Sequence, residues 1–342
     1  MEKRVSLKKI AKLVGVSKVV VYTVLNKREN KGIFVSKKTK EKILKIANEL
    51  GYVSPKSAKE LFSGKSDTIG IIFHKLTPFF SQLVSAIQQE ALKHGFEITP
   101  YITGGDSNIE EHYLNLCRDG RVDGIITVAH TDRSIELYKK YTQKPYNLKI
   151  LSYGPPIEEI PTVGFNEEKA GQLVSAHLME IGCKSFAYFG GEKNSKRCKG
   201  FIDYLKENKY KSVIWTGERL IPHQLFVGYY NDGIKLAKKF FETDNKIPEG
   251  IFASNDILGA ILLKETIKRG FKIPEQIAIV GCDNSEICLY TEPELTSIDV
   301  NINDTAKKLI ETMKKIINGE ELKTLHIKIP VNLVKRGSTV KI

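Results

Sequence analysis

Lys18, Val19 and Thr23 lie one and four residues apart within LKKIAKLVGVSKVVVYTVLN (7–26), so on a helix they share one outward face. Their types suit the edges of base pairs. An ammonium can donate to guanine acceptors, and Val and Thr methyls can meet the methyl of thymine. Tyr22, Lys27 and Arg28 suit phosphates, which fix position without reading sequence. Ser17 and Asn26 complete this DNA-facing set. Enzymatic chemistry finds no comparable set. Gly64-Lys65-Ser66 imitates the end of a phosphate-binding loop, but the glycine required five residues earlier is Lys59. GxSxG and HExxH are absent, and no His stands at zinc-finger spacing from a Cys pair. No catalytic residue, metal site or cofactor is expected. The five cysteines, Cys117, Cys183, Cys198, Cys282 and Cys288, are scattered without a CxxC pair and read as reduced, buried thiols.

The elements that must carry the DNA-facing residues are legible around them. Leu7, Ile10, Ala11 and Val14 recur at helical spacing behind a capping Ser6, and Gly15 supplies the turn. Ser17 can cap a second helix whose buried side is Val20, Val21, Val24 and Leu25. Counted from Leu7, apolar residues at the fourth, eighth, tenth, fifteenth and eighteenth positions, with Ala fifth and Gly ninth, form a helix-turn-helix pattern. A third amphipathic helix after Ser36, with Ile43, Leu44, Ala47 and Leu50 inward, closes a three-helix core at Gly51-Tyr52. The second helix should then enter the major groove with its N-terminal residues against base edges.

Charge supports the same division. Of the chain's net charge of +13, residues 1–66 carry +12, with 17 Lys and Arg against 5 Asp and Glu. A basic module on a neutral body is the electrostatic footprint of nucleic-acid binding. No run of about 18 apolar residues suggests a membrane span. The N-terminus lacks the apolar core of a secretory signal, so a cytoplasmic protein is expected.

From Thr68 onward, short β-rich runs alternate with helical ones. IGIIF (69–73), FEITPY (96–101), GIITV (124–128) and KIL (149–151) form one series; SFAYFG (185–190), SVIW (212–215), GIFAS (250–254) and IAIVG (277–281) form a second. Two such series in about 270 residues predict two doubly wound parallel-sheet subdomains. Ligands of these sheets bind beyond the carboxyl ends of the strands.

The chain resembles the LacI/GalR family of transcriptional regulators through SLKKIAKLVGVSKVVVYTVLN (6–26), VSKKTKEKILKIANELGY (35–52) and motifs downstream, from Val5 to Thr339. Two departures stand out: Tyr22-Thr23 replaces the usual Ser-Arg, and the loop after Asn26 is longer and more basic. The resemblance implies an all-α helix-turn-helix DNA-binding domain over residues 1–54, a hinge helix at 55–66 and a periplasmic-binding-protein-like α/β core at 67–342. Within that core, LTSIDV (295–300), the helix 302–318 and IPVNLV (329–334) cross back between the halves. The N-subdomain would comprise about 67–163 and 298–325, the C-subdomain about 164–297 and 326–342. Leu61 matches a hinge leucine that wedges into the minor groove and kinks the duplex.

By the same resemblance the effector site draws on Phe79 of TPFF, Arg197, Asn255 and Asp283, with Tyr153 where many members have Asp. A guanidinium offers five fixed donors for hydroxyls or a carboxylate. Phe79 could equally pack in the core, and for Asn255 and Asp283 the alternative to a ligand contact is capping the next helix. His223, Phe226, Tyr229 and Tyr230 would supply an aromatic wall. The expected protein is a homodimeric repressor of carbohydrate-utilisation genes, binding a near-palindromic operator and a sugar effector. A co-repressor-type regulator binding a nucleobase or other metabolite is the alternative, and a solute-binding protein a weaker one. The absence of trailing leucine heptads favours a dimer over a tetramer.

Overall fold

A computed structural model describes residues 5–25, 34–52, 65–128, 131–191, 193–215, 229–242 and 246–340. The chain divides into two compact units, Met1–Ser66 and Asp67–Ile342.

The first unit contains helices Leu7–Val14, Lys18–Leu25 and Lys37–Glu49. Each start has a hydroxyl cap, predicted at Ser6 and Ser17. Ser6 Oγ accepts from Lys9 N, Ser17 Oγ from Val20 N and Ser36 Oγ from Thr39 N, which satisfies amides that a helix N-terminus leaves without partners. Gly15 ends the first helix at φ 83°, a left-handed conformation that costs glycine little, and its N–H donates to the Ala11 carbonyl. Ile10, Ala11, Val21, Val24, Ile43 and Ala47 form the buried centre. Leu44 departs from expectation: it is exposed, and Ile46 packs toward the core in its place. On a helix, position 44 stands about 100° from 43, which already holds the centre, while 46 lies one turn from it.

The second unit is built on two six-stranded sheets. The first contains β1 (Thr68–Phe73), β2 (Glu97–Ile102), β3 (Gly124–Thr127), β4 (Ile150–Tyr153), β5 (Thr162–Phe165) and β11 (His326–Ile329), in the order β11-β5-β4-β3-β1-β2. The second contains β6 (Phe186–Phe189), β7 (Ser212–Trp215), β8 (Gly250–Ala253), β9 (Ala278–Asp283), β10 (Thr296–Asp299) and β12 (Asn332–Val334), in the order β12-β10-β9-β8-β6-β7. All pairings are parallel except that of β12 with β10. β1, between β3 and the edge strand β2, is buried along its whole length, as a strand covered on both faces must be. Pro100 is tolerated in β2 because that strand is an edge.

Two features of this topology were not legible beforehand. β5 was not anticipated as a strand: its Gly164 weakens the β signal, yet a Cβ there would collide with the carbonyl of Gly154. β11 pairs with β5 in the first sheet, so the last crossing falls after Ile329 and not near residue 326. Likewise β10 stays in the second sheet through Asp299, and β5 keeps Phe165 in the first. The chain therefore crosses three times, after Phe165, after Asp299 and after Ile329. Asn301, held at φ 51°, ties two crossings together: its Nδ2 donates to the Pro330 carbonyl at 2.6 Å. A single apolar cluster runs through the crossings, from Phe73 and Leu151 in the first sheet to Phe252 and Val280 in the second.

Candidate functional site

The helix Lys18–Leu25, expected to face DNA, has its start turned outward: Ser17, Lys18 and Val19 are exposed, Val19 by 54%. Thr23 was expected on the same outward face, but it is only 5% exposed, and Tyr22 is 7% exposed. The last turn of this short helix is enclosed all round, with Val21, Tyr22, Thr23 and Val24 buried in succession, so a one-sided helical pattern does not hold there. Of the three residues expected on the outward face, Lys18 and Val19 are the exposed ones. Asn26, Lys27, Arg28 and Leu61 lie outside the described residues.

In the second unit the expected effector residues sit at carboxyl ends of strands or on the helices just beyond, where open α/β sheets place ligands. Thr77 caps helix Pro78–Lys93 by accepting from Phe80 N at 3.3 Å, which sets Phe79 in the first turn. The Phe79 and Tyr153 rings lie 6.2 Å apart, tilted by 30°. Tyr153 ends β4 and is buried; burial first, and then the charge of Asp283, holds its phenol above the ordinary tyrosine range.

Arg197 starts the helix Lys196–Glu207, which Ser195 caps. Its Nη1 donates to the Ser254 carbonyl and its Nη2 to Glu167 Oε1 at 3.2 Å. The guanidinium lies 5.1 Å from the Phe165 ring centre, a cation–π distance. Its Nε–H is buried with no acceptor among the described residues. Burial opposes the guanidinium charge, but Cys282, Glu167, Tyr188 and Asp283 outweigh it, so the side chain stays ionised. Asp283 ends β9 at φ 121°, an unusual conformation for a residue with a side chain. Burial and then Asp256 raise its carboxyl well above the usual range, against the pull of Arg197.

Asn255 takes the capping role that sequence had left open: its Oδ1 accepts from Leu258 N at 2.9 Å and starts the helix Asp256–Lys268. Beside it, Asp256 braces the turn after β9. Its Oδ2 accepts from Ser285 N at 2.7 Å and Ser285 Oγ at 2.9 Å, and its Oδ1 from Ser297 Oγ at 2.5 Å. Neighbouring Asn284 accepts from Arg336 Nη2 at 2.6 Å. The structure thus brings Phe79 to Tyr153 by ring contact, and joins Tyr153, Arg197 and Asp283 in one electrostatic neighbourhood. Asn255 enters through its cap. His223 and Phe226 lie outside the described residues. Phe165 and Glu167 were not singled out from sequence; the only signal for them was the strand end VGF followed by NEE, in a strand that went unread.

Comparison with known proteins now bears on this arrangement. Residues 6–54 match the model of bacterial regulatory proteins of the lacI family, and residues 175–339 match the periplasmic binding protein-like domain. The NTD biosynthesis operon regulator of Bacillus subtilis is 29% identical over 346 residues, covering 98% of this chain and 99% of that one. The ribose operon repressor of Halalkalibacterium halodurans is 28% identical over 340 residues, covering 98% and 97%. Among solved structures, the lac repressor dimer bound to operator and an anti-inducer aligns at TM-score 0.81 with 22% identity, covering 99% of this chain and 100% of that one. A periplasmic binding protein/LacI transcriptional regulator from Alkaliphilus metalliredigens, complexed with D-xylulofuranose, aligns at TM-score 0.69 with 28% identity, covering 80% and 100%. The chain therefore carries a lacI-family DNA-binding domain and a periplasmic-binding-protein-like domain, the make-up of a DNA-binding transcriptional regulator. Among the described residues, no helix is long and apolar enough to cross a membrane.

Proposed function

We propose that this regulator is a repressor of carbohydrate-utilisation genes, acting in the cytoplasm without enzymatic activity, whose hold on its operator is set by a sugar bound between the two sheets of the second unit. One observation carries the reading. A buried guanidinium with an unmet Nε–H stands near Asp283, while the first sheet brings the Phe79 and Tyr153 rings to the same neighbourhood. Fixed donors and acceptors against aromatic faces match the hydroxyls and apolar face of a sugar ring. The relatives agree in kind, since a ribose operon repressor and a regulator complexed with D-xylulofuranose are among them.

The protein would act as a homodimer, its two basic modules meeting half-sites one helical turn apart, roughly 34–36 Å, on a near-palindromic operator. Residues 55–66 would form the hinge between module and sensor. The sugar must bind one arrangement of the two sheets better than the other, because equal affinity shifts nothing. Ser17, Lys18, Val19, Asn26, Lys27 and Leu61 are the proposed DNA contacts, and Phe79, Tyr153, Arg197, Asn255 and Asp283 the proposed effector contacts.

A second reading, a nucleobase co-repressor, is favoured by the paired Phe79 and Tyr153 rings, which could stack on a planar base. It is also in keeping with purine repressors among the relatives, such as that of Aliivibrio salmonicida at 26% identity over 346 residues. A thermal-shift screen of sugars, polyols and nucleobases separates the two, since a ligand at about 100 times its Kd stabilises by roughly 2.7 kcal/mol. Stabilisation by a sugar that also weakens operator binding supports the first reading. Stabilisation by a nucleobase that tightens it supports the second, and silence from every class counts against both.

A further inference from the structure

The second sheet has another concave site at its opposite end. The effector residues stand at the carboxyl ends of β8 and β9, whereas a cavity of about 620 Å³ opens where β6, β8 and β9 begin. The six residues of β9 put roughly 20 Å between the two ends. The volume is within the range of small-molecule pockets. Among its lining groups are His177, Glu180, Glu249, Glu275, Lys335 and Thr339.

His177 gives this cavity its chemistry. The residue is 3% exposed, and its Nδ1 has no hydrogen-bond partner among the described residues. Its Nε2 lies 2.8 Å from Thr339 Oγ1, which lies 2.8 Å from Thr296 Oγ1. The hydroxyl of Thr296 donates to the Arg336 carbonyl at 3.1 Å and accepts from Arg336 N at 2.8 Å. With that proton placed on the Arg336 carbonyl, Thr296 accepts from Thr339 and Thr339 from His177, an assignment that makes the ring the Nε2–H tautomer and leaves the covered Nδ1 as an acceptor 3.7 Å from Glu180 Oε2. Burial, helped by Lys335 and opposed by Glu180, holds the ring's pKa below its ordinary value, in keeping with a neutral imidazole.

A buried acceptor asks for a donor, and the surrounding charge says which kind. Three carboxylates line the cavity against one ammonium, and Lys335 is already held by Glu180 at 3.1 Å. Glu180 Oε2 lies 3.7 Å from Nδ1, so both can be reached by one NH₃⁺ group. The carboxyl end of helix Glu167–Glu180, the negative pole of its dipole, ends at the same place. We propose that this cavity is a second small-molecule site, for an organic cation bearing a primary ammonium, in which His177 Nδ1 and the Glu180 carboxylate receive the N–H groups and Lys335 is displaced. It is separate from the effector cleft, so both sites can be filled at once.

The test is calorimetric titration of the full-length protein with 1,4-diaminobutane, with inorganic phosphate as the opposite-charge arm. One saturable amine site per chain is expected. Glu180→Gln, at an exposed position that leaves the core untouched, should weaken it roughly tenfold or more, the scale of a lost charge-assisted hydrogen bond. Lys335→Ala should tighten it by freeing Glu180, and Arg197→Ala should leave it unchanged. Histidine ¹⁵N spectra should place His177 in the Nε2–H form with an Nδ1 shift that moves on adding amine. Failure of the amine to saturate, binding of phosphate instead, indifference to Glu180→Gln, loss of binding in Arg197→Ala, or an Nδ1–H tautomer would each overturn the proposal.

Discussion

The two units solve opposite electrostatic problems. Residues 1–66 carry nearly all the excess charge and keep it outside, on helices Leu7–Val14 and Lys37–Glu49 whose lysines are mostly exposed around a small apolar centre. Residues 67–342 are nearly neutral overall but draw ionisable groups inward, with Arg197, Asp256 and Asp283 meeting at one end of the second sheet. Exposed charge suits a polyanion whose counterions can be released, an interaction that salt screens. Enclosed charge suits a small neutral ligand, where few groups must be fixed and water kept away. The difference implies that one protein should answer to two separate sets of perturbations.

Salt should give the largest separation. Operator affinity, followed by fluorescence anisotropy, should fall by about 10³–10⁵ between ~50 and ~200 mM salt if six to ten phosphates are contacted. Effector affinity should hardly move over the same range, and parallel salt slopes would erase the distinction between the units. Arg197→Ala comes next. It should abolish the effector response while operator affinity in the absence of effector is retained; a variant that still responds normally would remove Arg197 from the site.

Asp256→Ala then separates bracing from binding. The loss of three hydrogen bonds to a buried carboxylate should cost about 3 kcal/mol in denaturant unfolding of the second unit, with DNA affinity changed little. Stability unaltered by the substitution would mean that the turn after β9 is held by other contacts. The smallest effect concerns pH. His74 and His177 both have pKa values lowered by burial, so below about 6.5 the unfolded chain takes up protons that the folded one refuses. Stability of the second unit should therefore decline as pH falls from 7 toward 5. The first unit contains no histidine and should show no such histidine-linked loss. Buried carboxyls raised by desolvation, such as Glu110, act with the opposite sign.

What could be read in advance follows the range of the interactions. Caps and helix faces are local, so the Ser6 and Ser17 caps and the Ile10–Val21–Ile43 centre were visible as spacing alone. Most strands of the second unit announced themselves as apolar runs between helical ones. β5 did not, because close approach to Gly154 demands a glycine where a β-former would have marked the strand. The placement of β11 and the pairing of Glu167 with Arg197 across 30 residues depend on the assembled topology, which no local window contains. Thr23 was misplaced for a related reason: helical phase assigns a direction, but enclosure of the helix's last turn depends on what surrounds it. Among the expected effector residues, sequence left Asn255 open between ligand and helix cap, and the structure spends its Oδ1 on the cap.

The central claim joins the two units, and titration of effector into the preformed protein–operator complex tests it most directly. With the sugar that stabilises the protein in a thermal screen, anisotropy of a labelled operator duplex should fall to the free-DNA value in the native protein and stay high in Arg197→Ala. A duplex that remains bound at saturating sugar in the native protein, or is released equally from both proteins, would contradict the account.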